Sequence, residues 1–153
     1  MPFRSPFFLG PFLVDQEGRL SPRNPEAPPN FLFQWHDRVI RASLEAGSDE
    51  GVLRISAVLG RVPSTATESG ITRSQVFDVV RGLAGTVPSD WRLGLLPNHR
   101  VMLQAHCPVA LPITATGLLT QITSFLLRLS PYLELVDETG LRPGGADAGA
   151  LLN

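Results

Sequence analysis

The sequence predicts an α+β domain in which a five-stranded, twisted antiparallel sheet carries helices on one face. Three observations lead to this prediction. Five segments alternate apolar and polar residues, which is the period of a strand. Two segments repeat apolar residues at the three- and four-residue spacing of a helix. Along the chain the segments follow the order strand, strand, strand, helix, strand, strand, helix.

Length, composition and charge are those of one globular domain. The chain has 153 residues, of which 43% are hydrophobic and 18% are charged, and a chain of this kind can build its own core. Its 13 basic and 14 acidic residues leave a net charge of −1, so we expect no nucleic-acid partner. The single cysteine, Cys107, cannot form an internal disulfide, which favours a reducing compartment. Residues 118–129 are too short to span a bilayer, and we therefore expect a cytoplasmic protein with no membrane partner.

Residues 1–30 and 139–153 differ in composition from the rest of the chain. The first segment contains seven prolines, each of which removes a backbone donor and restricts the residue before it. We therefore predict a proline-rich arm without regular elements, lying across the domain or across a partner. The second segment is rich in Gly and Ala and is expected to be a mobile tail. Residues 31–138 are predicted to form the single folded domain.

The domain is predicted to begin with three strands in an antiparallel meander, because each alternates and turn residues separate them. A tight turn is predicted at residues 36–38, and a loop of strong turn formers at residues 47–51. The residues that define the buried face of each strand recur at every second position: Phe31, Phe33 and Trp35; Ile40, Ala42 and Leu44; Leu53, Ile55, Ala57 and Leu59.

A helix is predicted between the two groups of strands. Residues 72–75, Thr-Arg-Ser-Gln, fit a capping box, and Ile71 and Val76 fit the hydrophobic staple that accompanies it. Apolar residues then recur at helical spacing as far as Leu83. Pro88 ends the segment.

Two further strands and a second helix complete the predicted domain. Residues 91–95 and 101–107 alternate on either side of a hairpin turn, and Pro108 is predicted to close the second strand. The last helix is predicted to begin at about residue 114 or 116. We expect Pro131 to interrupt it, because proline cannot donate the helical hydrogen bond.

Particular phrases in this order of elements resemble a known family. They are residues 51–63, 92–97 and 101–104, of which the first ends a strand in Leu-Gly-x-x-Pro before a helix. Together they resemble the type III secretion chaperones (Tir-chaperone or CesT-like) and the similarly folded YbjN-like proteins, over about residues 31–136. The resemblance implies a secretion-chaperone-like sheet with helices on one side, a homodimer, and apolar patches that bind an extended segment of a partner protein.

The sequence also carries more large apolar side chains than two helices can obviously cover. An open sheet has two edges that must be covered or paired, and association with a partner would cover both. The proline-rich arm could instead fold back over these side chains. The candidate protein-binding residues are Phe31, Phe33, Trp35 and Trp91.

Reactive groups form no recognisable constellation in the sequence. It contains no nucleophile elbow, phosphate loop, zinc motif or cysteine pair, so we expect no enzyme, cofactor or metal site. His106 and Cys107 are neighbours on a strand and point to opposite faces. His36 and His99 lie in predicted turns and could meet if the two hairpins are neighbours.

Two functional hypotheses follow for a chain whose physiological role its sequence does not specify. The first is a non-enzymatic, dimeric protein-binding module that captures an apolar stretch of a partner. The alternative is a small-molecule- or metal-binding or catalytic domain. Its cavity would lie near His36, His99, Trp35 and Trp91.

Overall fold

The computed structural model describes residues 5–47, 49–61, 78, 80–97 and 99–138. Two helices are described, α1 with helical residues 80–86 and α2 (Ala115–Glu138). The strands are β1 (Phe7–Leu9), β2 (Phe12–Val14), β3 (Leu20–Pro22), β4 (Asn30–Trp35), β5 (Arg38–Ala46), β6 (Glu50–Arg61), β7 (Trp91–Leu95) and β8 (Arg100–Ala110). The predicted capping box at residues 72–75 and the predicted tail at residues 139–153 lie outside the described residues.

The five predicted strands form one sheet in the order β4-β5-β6-β8-β7, and every neighbouring pair is antiparallel. The α+β class and the five-stranded antiparallel sheet are therefore confirmed. The hairpin of β7 and β8 places β8 beside β6 and leaves β7 at one edge. Strand β4 forms the other edge.

One face of this sheet is buried against α2 because the strands alternate as predicted. Ile40, Leu53, Leu103 and their same-face neighbours have almost no solvent exposure. The residues that α2 buries are Leu118, Ile122, Phe125, Leu126, Leu129, Leu133 and Val136. Leu83 of α1 belongs to the same cluster, and each such buried side chain stabilises the fold by about 1.5–3 kcal/mol.

Helix α2 begins as predicted and continues where an interruption was expected. The Thr114 side chain caps it, since Oγ1 accepts a hydrogen bond from the Gly117 N–H at 3.0 Å. The expectation of a break at Pro131 was wrong, because the helix runs through this residue to Glu138. Pro131 lies on the exposed side, while Leu129 and Leu133 on either side of it are fully buried. Their burial offsets the roughly 3 kcal/mol that an internal proline costs.

The expectation that residues 1–30 hold no regular element was also wrong. Strands β1, β2 and β3 form a separate antiparallel sheet. Its prolines fall where they cost no ladder bond, as Pro11 follows Gly10 in the turn and Pro22 ends β3. Gly10 has a φ of 56° there, which glycine adopts without strain. Phe12 and Val14 are buried, and this burial is what holds strands of only three residues.

The small sheet is joined to the start of α2 by backbone hydrogen bonds. The Leu20 N–H donates to the Ile113 carbonyl at 2.8 Å, and the Ala115 N–H donates to the Gly18 carbonyl at 2.8 Å. Asp15 shapes the preceding loop by accepting from the Glu17 and Arg19 N–H groups. The bond from the Arg19 backbone is the main reason that the pKa of the Asp15 carboxyl is lowered.

Strand β8 extends past the proline that was expected to close it. It runs to Ala110, and Pro108 lies opposite Val52 of β6. Strand β7 pairs only with Val101 to Ala105. The side of β8 that faces away from β6 at Pro108 therefore has no strand partner among the described strands, and a missing N–H is tolerated there.

Candidate protein-binding site

Three of the four candidate residues lie together on β4. Phe31, Phe33 and Trp35 point toward the core side of the sheet and are half-buried. The Phe31 ring stacks on Phe33 with centroids 6.2 Å apart, and its other neighbour is Phe12, edge-on at 6.2 Å. The N-terminal segment therefore covers part of this aromatic row, and the rest stays at the edge of the sheet.

Trp35 is held by a polar contact at its far end. Its Nε1–H donates to Oγ of Ser130 on α2 at 3.1 Å. Close by, the buried guanidinium of Arg38 donates from Nε to the Leu59 carbonyl at 2.8 Å and contacts the Asp137 carboxylate. The turn between β4 and β5 is thus fastened to the C-terminal half of α2.

Trp91, the fourth candidate, lies inside the domain at the opposite edge. It is 4% exposed and packs against Phe125 and Tyr132 of α2 at centroid distances of 5.1 and 5.9 Å. The guanidinium of Arg128 lies over its ring, 5.1 Å from the centroid. Trp91 therefore serves the packing between β7 and α2, and its ring is covered within the chain.

The edge strand β4 presents backbone groups that no described strand pairs. His36 and Asp37 both have positive φ, as a two-residue type I′ hairpin turn requires. In such a hairpin the flanking residues Trp35 and Arg38 form a hydrogen-bonded pair. Hydrogen-bonded and non-hydrogen-bonded pairs then alternate along the two strands. Leu32 and Gln34 consequently direct their N–H and C=O groups away from β5. Among the described strands, β5 is the only neighbour of β4.

An apolar groove of about 300 Å³ opens beside this edge. It lies between the β1–β2 turn, the first half of β4 and the N-terminal half of α2. Several of its side chains are solvent-exposed, including Leu9 at 42% and Leu119 at 59%. The residues that line the apolar groove are Leu9, Gly10, Pro11, Phe12, Phe31, Leu32, Leu118, Leu119 and Ile122.

Sequence reasoning identified only one groove residue, Phe31, as a candidate. For the other groove residues the sequence offered a weaker signal, the run of apolar residues at positions 7–9. Phe8 in this run is 61% exposed. The Phe8 ring lies under the Arg23 guanidinium at 4.1 Å. The contribution of Leu119 depends on how α2 lies on the sheet, which no local pattern reveals.

The two histidines of the alternative hypothesis lie in different hairpins. His36 is in the β4–β5 turn and His99 precedes β8. Both turns lie at the same end of the sheet, but β6 runs between the two hairpins. Three strand spacings separate the hairpin axes by about 14 Å. Trp35 and Trp91 lie on opposite edges, so the four residues do not line a common cavity.

Potential metal ligands and the cysteine thiol show no reactive arrangement in the part of the chain that the structure describes. No group of three or more His, Cys, Asp or Glu residues there could hold a metal ion. Burial raises the pKa of the Cys107 thiol, and the negative charge of Asp90 raises it further. A raised pKa disfavours the thiolate and so opposes nucleophilic chemistry.

Comparisons with known proteins leave the chain without a family assignment. No protein-family model, curated protein or solved structure matches it. Among the described residues, no helix combines the length and the apolar content that crossing a bilayer requires.

Proposed function

We propose that this chain is a non-enzymatic protein-binding module that captures an extended apolar segment of a partner protein along β4. The observation that carries the proposal is the juxtaposition of the apolar groove and a strand edge that no described strand pairs. The edge offers backbone donors and acceptors at Leu32 and Gln34, and the groove is lined by Phe31, Leu118 and Leu119. The resemblance of the sequence to secretion chaperones agrees with this role.

Both halves of the site contribute to recognition in this proposal. A segment added as a further strand would form main-chain hydrogen bonds with β4, while every second side chain would enter the groove. The main-chain bonds are insensitive to sequence and supply affinity. The groove selects apolar side chains, since removing apolar surface from water contributes about 25 cal/mol per Å².

The contribution of the edge is tested by two substitutions at one exposed position. Peptides long enough to span the six residues of β4, selected by display against the purified protein, serve as probes for calorimetry. Gln34→Pro removes the outward N–H, which an edge strand tolerates, and binding should weaken at least about tenfold, the equivalent of 1.4 kcal/mol. Gln34→Ala keeps the N–H and should bind as the parent does.

The contribution of the groove is tested by a matched pair on α2. Leu119→Asp places a charge in the groove. Leu127→Asp places the same charge on the same helix, at a similarly exposed position that does not line the groove. We expect Leu119→Asp to abolish peptide binding and Leu127→Asp to leave it within about twofold. Equal effects of the two substitutions, or failure of every selected peptide to bind the parent, would refute the proposed function.

We also propose that the protein works as a homodimer. The second sheet edge, β7, has only β8 as its described neighbour, and Leu95 at its end is 49% exposed. An edge strand whose outer backbone groups no described strand pairs favours association. Light scattering on the purified protein should give twice the chain mass of 16.6 kDa, and a monomer at all concentrations would contradict the proposal.

A further inference from the structure

The face of the five-stranded sheet opposite α2 carries a polar depression of about 330 Å³. Most of its lining side chains alternate with the core residues of the same strands, so they point away from the helices. Ile55 and Ala105, which also line it, belong to the buried core. This polar depression is lined by Arg41, Ser43, Glu45, Arg54, Ile55, Ser56, Met102, Gln104, Ala105 and His106.

Strand register brings the hydrogen-bond donors of the polar depression together. Arg54 lies directly opposite Ser43 on one side and His106 on the other. Arg41 lies opposite Ser56, on the diagonal from Arg54. Directly opposite residues have Cβ atoms about 4.5–5.5 Å apart, and long side chains reach across the diagonal. Two guanidinium groups, two hydroxyls and an imidazole can therefore converge on one point.

The described lining of the polar depression holds more basic than acidic side chains. Among the described residues, Glu45 is the only acidic one that lines the polar depression, and its Oε1 is 3.1 Å from Nε of Arg54. This contact orients the Arg54 guanidinium on the face of the sheet. A lining with two guanidinium groups and one carboxylate favours an anionic ligand.

We propose that the polar depression binds the phosphate group of a small molecule. A guanidinium fork matches the oxygens of a phosphate in a bidentate arrangement. Hydroxyl and imidazole donors from Ser43, Ser56 and His106 supply the remaining contacts. The volume of the depression is at the lower end of the range for small-molecule sites. The group is either inorganic phosphate or a phosphate monoester, which present the same oxygens to the site.

This site is independent of the apolar groove. The groove is built on β4 and α2, whereas the polar depression lies on β5, β6 and β8 on the opposite face. Loss of peptide binding in the groove variants therefore says nothing about phosphate binding, and the converse also holds.

The test is a titration followed by ¹H–¹⁵N chemical shifts of the full chain. Inorganic phosphate and glucose 6-phosphate are the two probes, and sodium chloride at matched ionic strength is the control for screening. We expect saturable shifts at Ser43, Arg54, Ser56 and His106 with at least one probe and none with chloride. Tighter binding of glucose 6-phosphate would identify the ester as the source, and equal or tighter binding of inorganic phosphate would identify the free anion.

Three substitutions separate a built site from general attraction. Arg54→Gln and Arg41→Gln should each weaken binding at least about tenfold, since charge-assisted hydrogen bonds are about twice as strong as neutral ones. Arg92→Gln removes the same charge from the same face, outside the lining of the depression, and should change affinity less than about threefold. Unchanged ¹H–¹⁵N chemical shifts of residues outside the polar depression verify the fold of each variant. Absence of saturation with both probes, shifts reproduced by chloride, or an equal loss in Arg92→Gln would overturn the proposal.

Discussion

The two edge strands of the sheet have the same sequence pattern and different surroundings. Both β4 and β7 alternate large apolar residues and both carry a tryptophan. At β7, α2 covers the Trp91 ring with Phe125 and Tyr132, and 4% of the residue remains exposed. At β4, Trp35 is half-buried, and an apolar groove opens where Phe31 meets α2.

The difference shows what alternation alone leaves undetermined. A pattern of period two specifies which side chains share a face, but it does not specify which edge a helix will cover. Here α2 packs Phe125 and Tyr132 against Trp91 of β7, whereas at β4 its Ser130 accepts a hydrogen bond from Trp35. The tryptophan of β7 is thereby built into the core, and β4 is the edge along which we propose that a partner binds.

The largest expected effect is a difference in stability between substitutions of the two edge-strand tryptophans. Trp91→Ala leaves a cavity between β7 and α2 and should lower the free energy of unfolding by about 3–5 kcal/mol. Trp35→Ala removes a half-buried ring and one hydrogen bond to Ser130, and should cost about 1–3 kcal/mol. Urea denaturation measures both costs, with one common slope of unfolding free energy against urea concentration. A cost for Trp35→Ala that equals that of Trp91→Ala would mean that the two edges are equally built into the core.

A smaller effect is expected from the buried arginine that fastens the β4–β5 turn. Arg38→Met keeps the packing of the side-chain stem but leaves the Leu59 carbonyl without its donor, so unfolding should become easier by about 2 kcal/mol. The figure stays below that of a fully buried ion pair because the partner carboxylate, on Asp137, is half-exposed. Arg81→Met removes an exposed arginine and should change stability by less than about 0.5 kcal/mol. Similar values for both variants would contradict this account of the turn.

The smallest effect concerns the Cys107 thiol on β8, the strand next to the β7 edge. Because burial and the charge of Asp90 raise the pKa of Cys107, the thiolate should be scarce at neutral pH in the folded protein. Iodoacetamide at pH 8 should alkylate Cys107 several-fold more slowly in the native protein than in urea, with a native rate that increases as the pH rises. Equal alkylation rates in the two states would contradict the prediction, because they would show that the fold does not protect the Cys107 thiol.

The sequence predicted the larger sheet well because its signals are local. Alternation in β4 to β8 and the start of the last helix at about residue 114 or 116 are signals from residues within a few positions of each other, and these elements are present. The three proline-related errors have two physical origins. Pro11, Pro108 and Pro131 each lie where the missing N–H has no described strand partner or where burial on either side outweighs its loss.

The candidate site was predictable only in part. The aromatic row of β4 is visible as alternation, but its neighbours in the groove come from distant positions, such as Leu9 and Leu119. The burial of Trp91 depends in the same way on the path of α2. The convergence of Arg41 and Arg54 requires the register between β5 and β6, which periodicity does not supply. Contacts between residues far apart in the chain therefore decide both proposed sites.

Hydrogen exchange of the backbone amides tests the central claim most directly. When a selected peptide binds, the outward N–H groups of Leu32 and Gln34 should exchange more slowly, because they would donate to the added strand. The amides of β7 should exchange at their former rates. Protection confined to the β7 edge, or no change at Leu32 and Gln34 in a saturated complex, would contradict capture along β4.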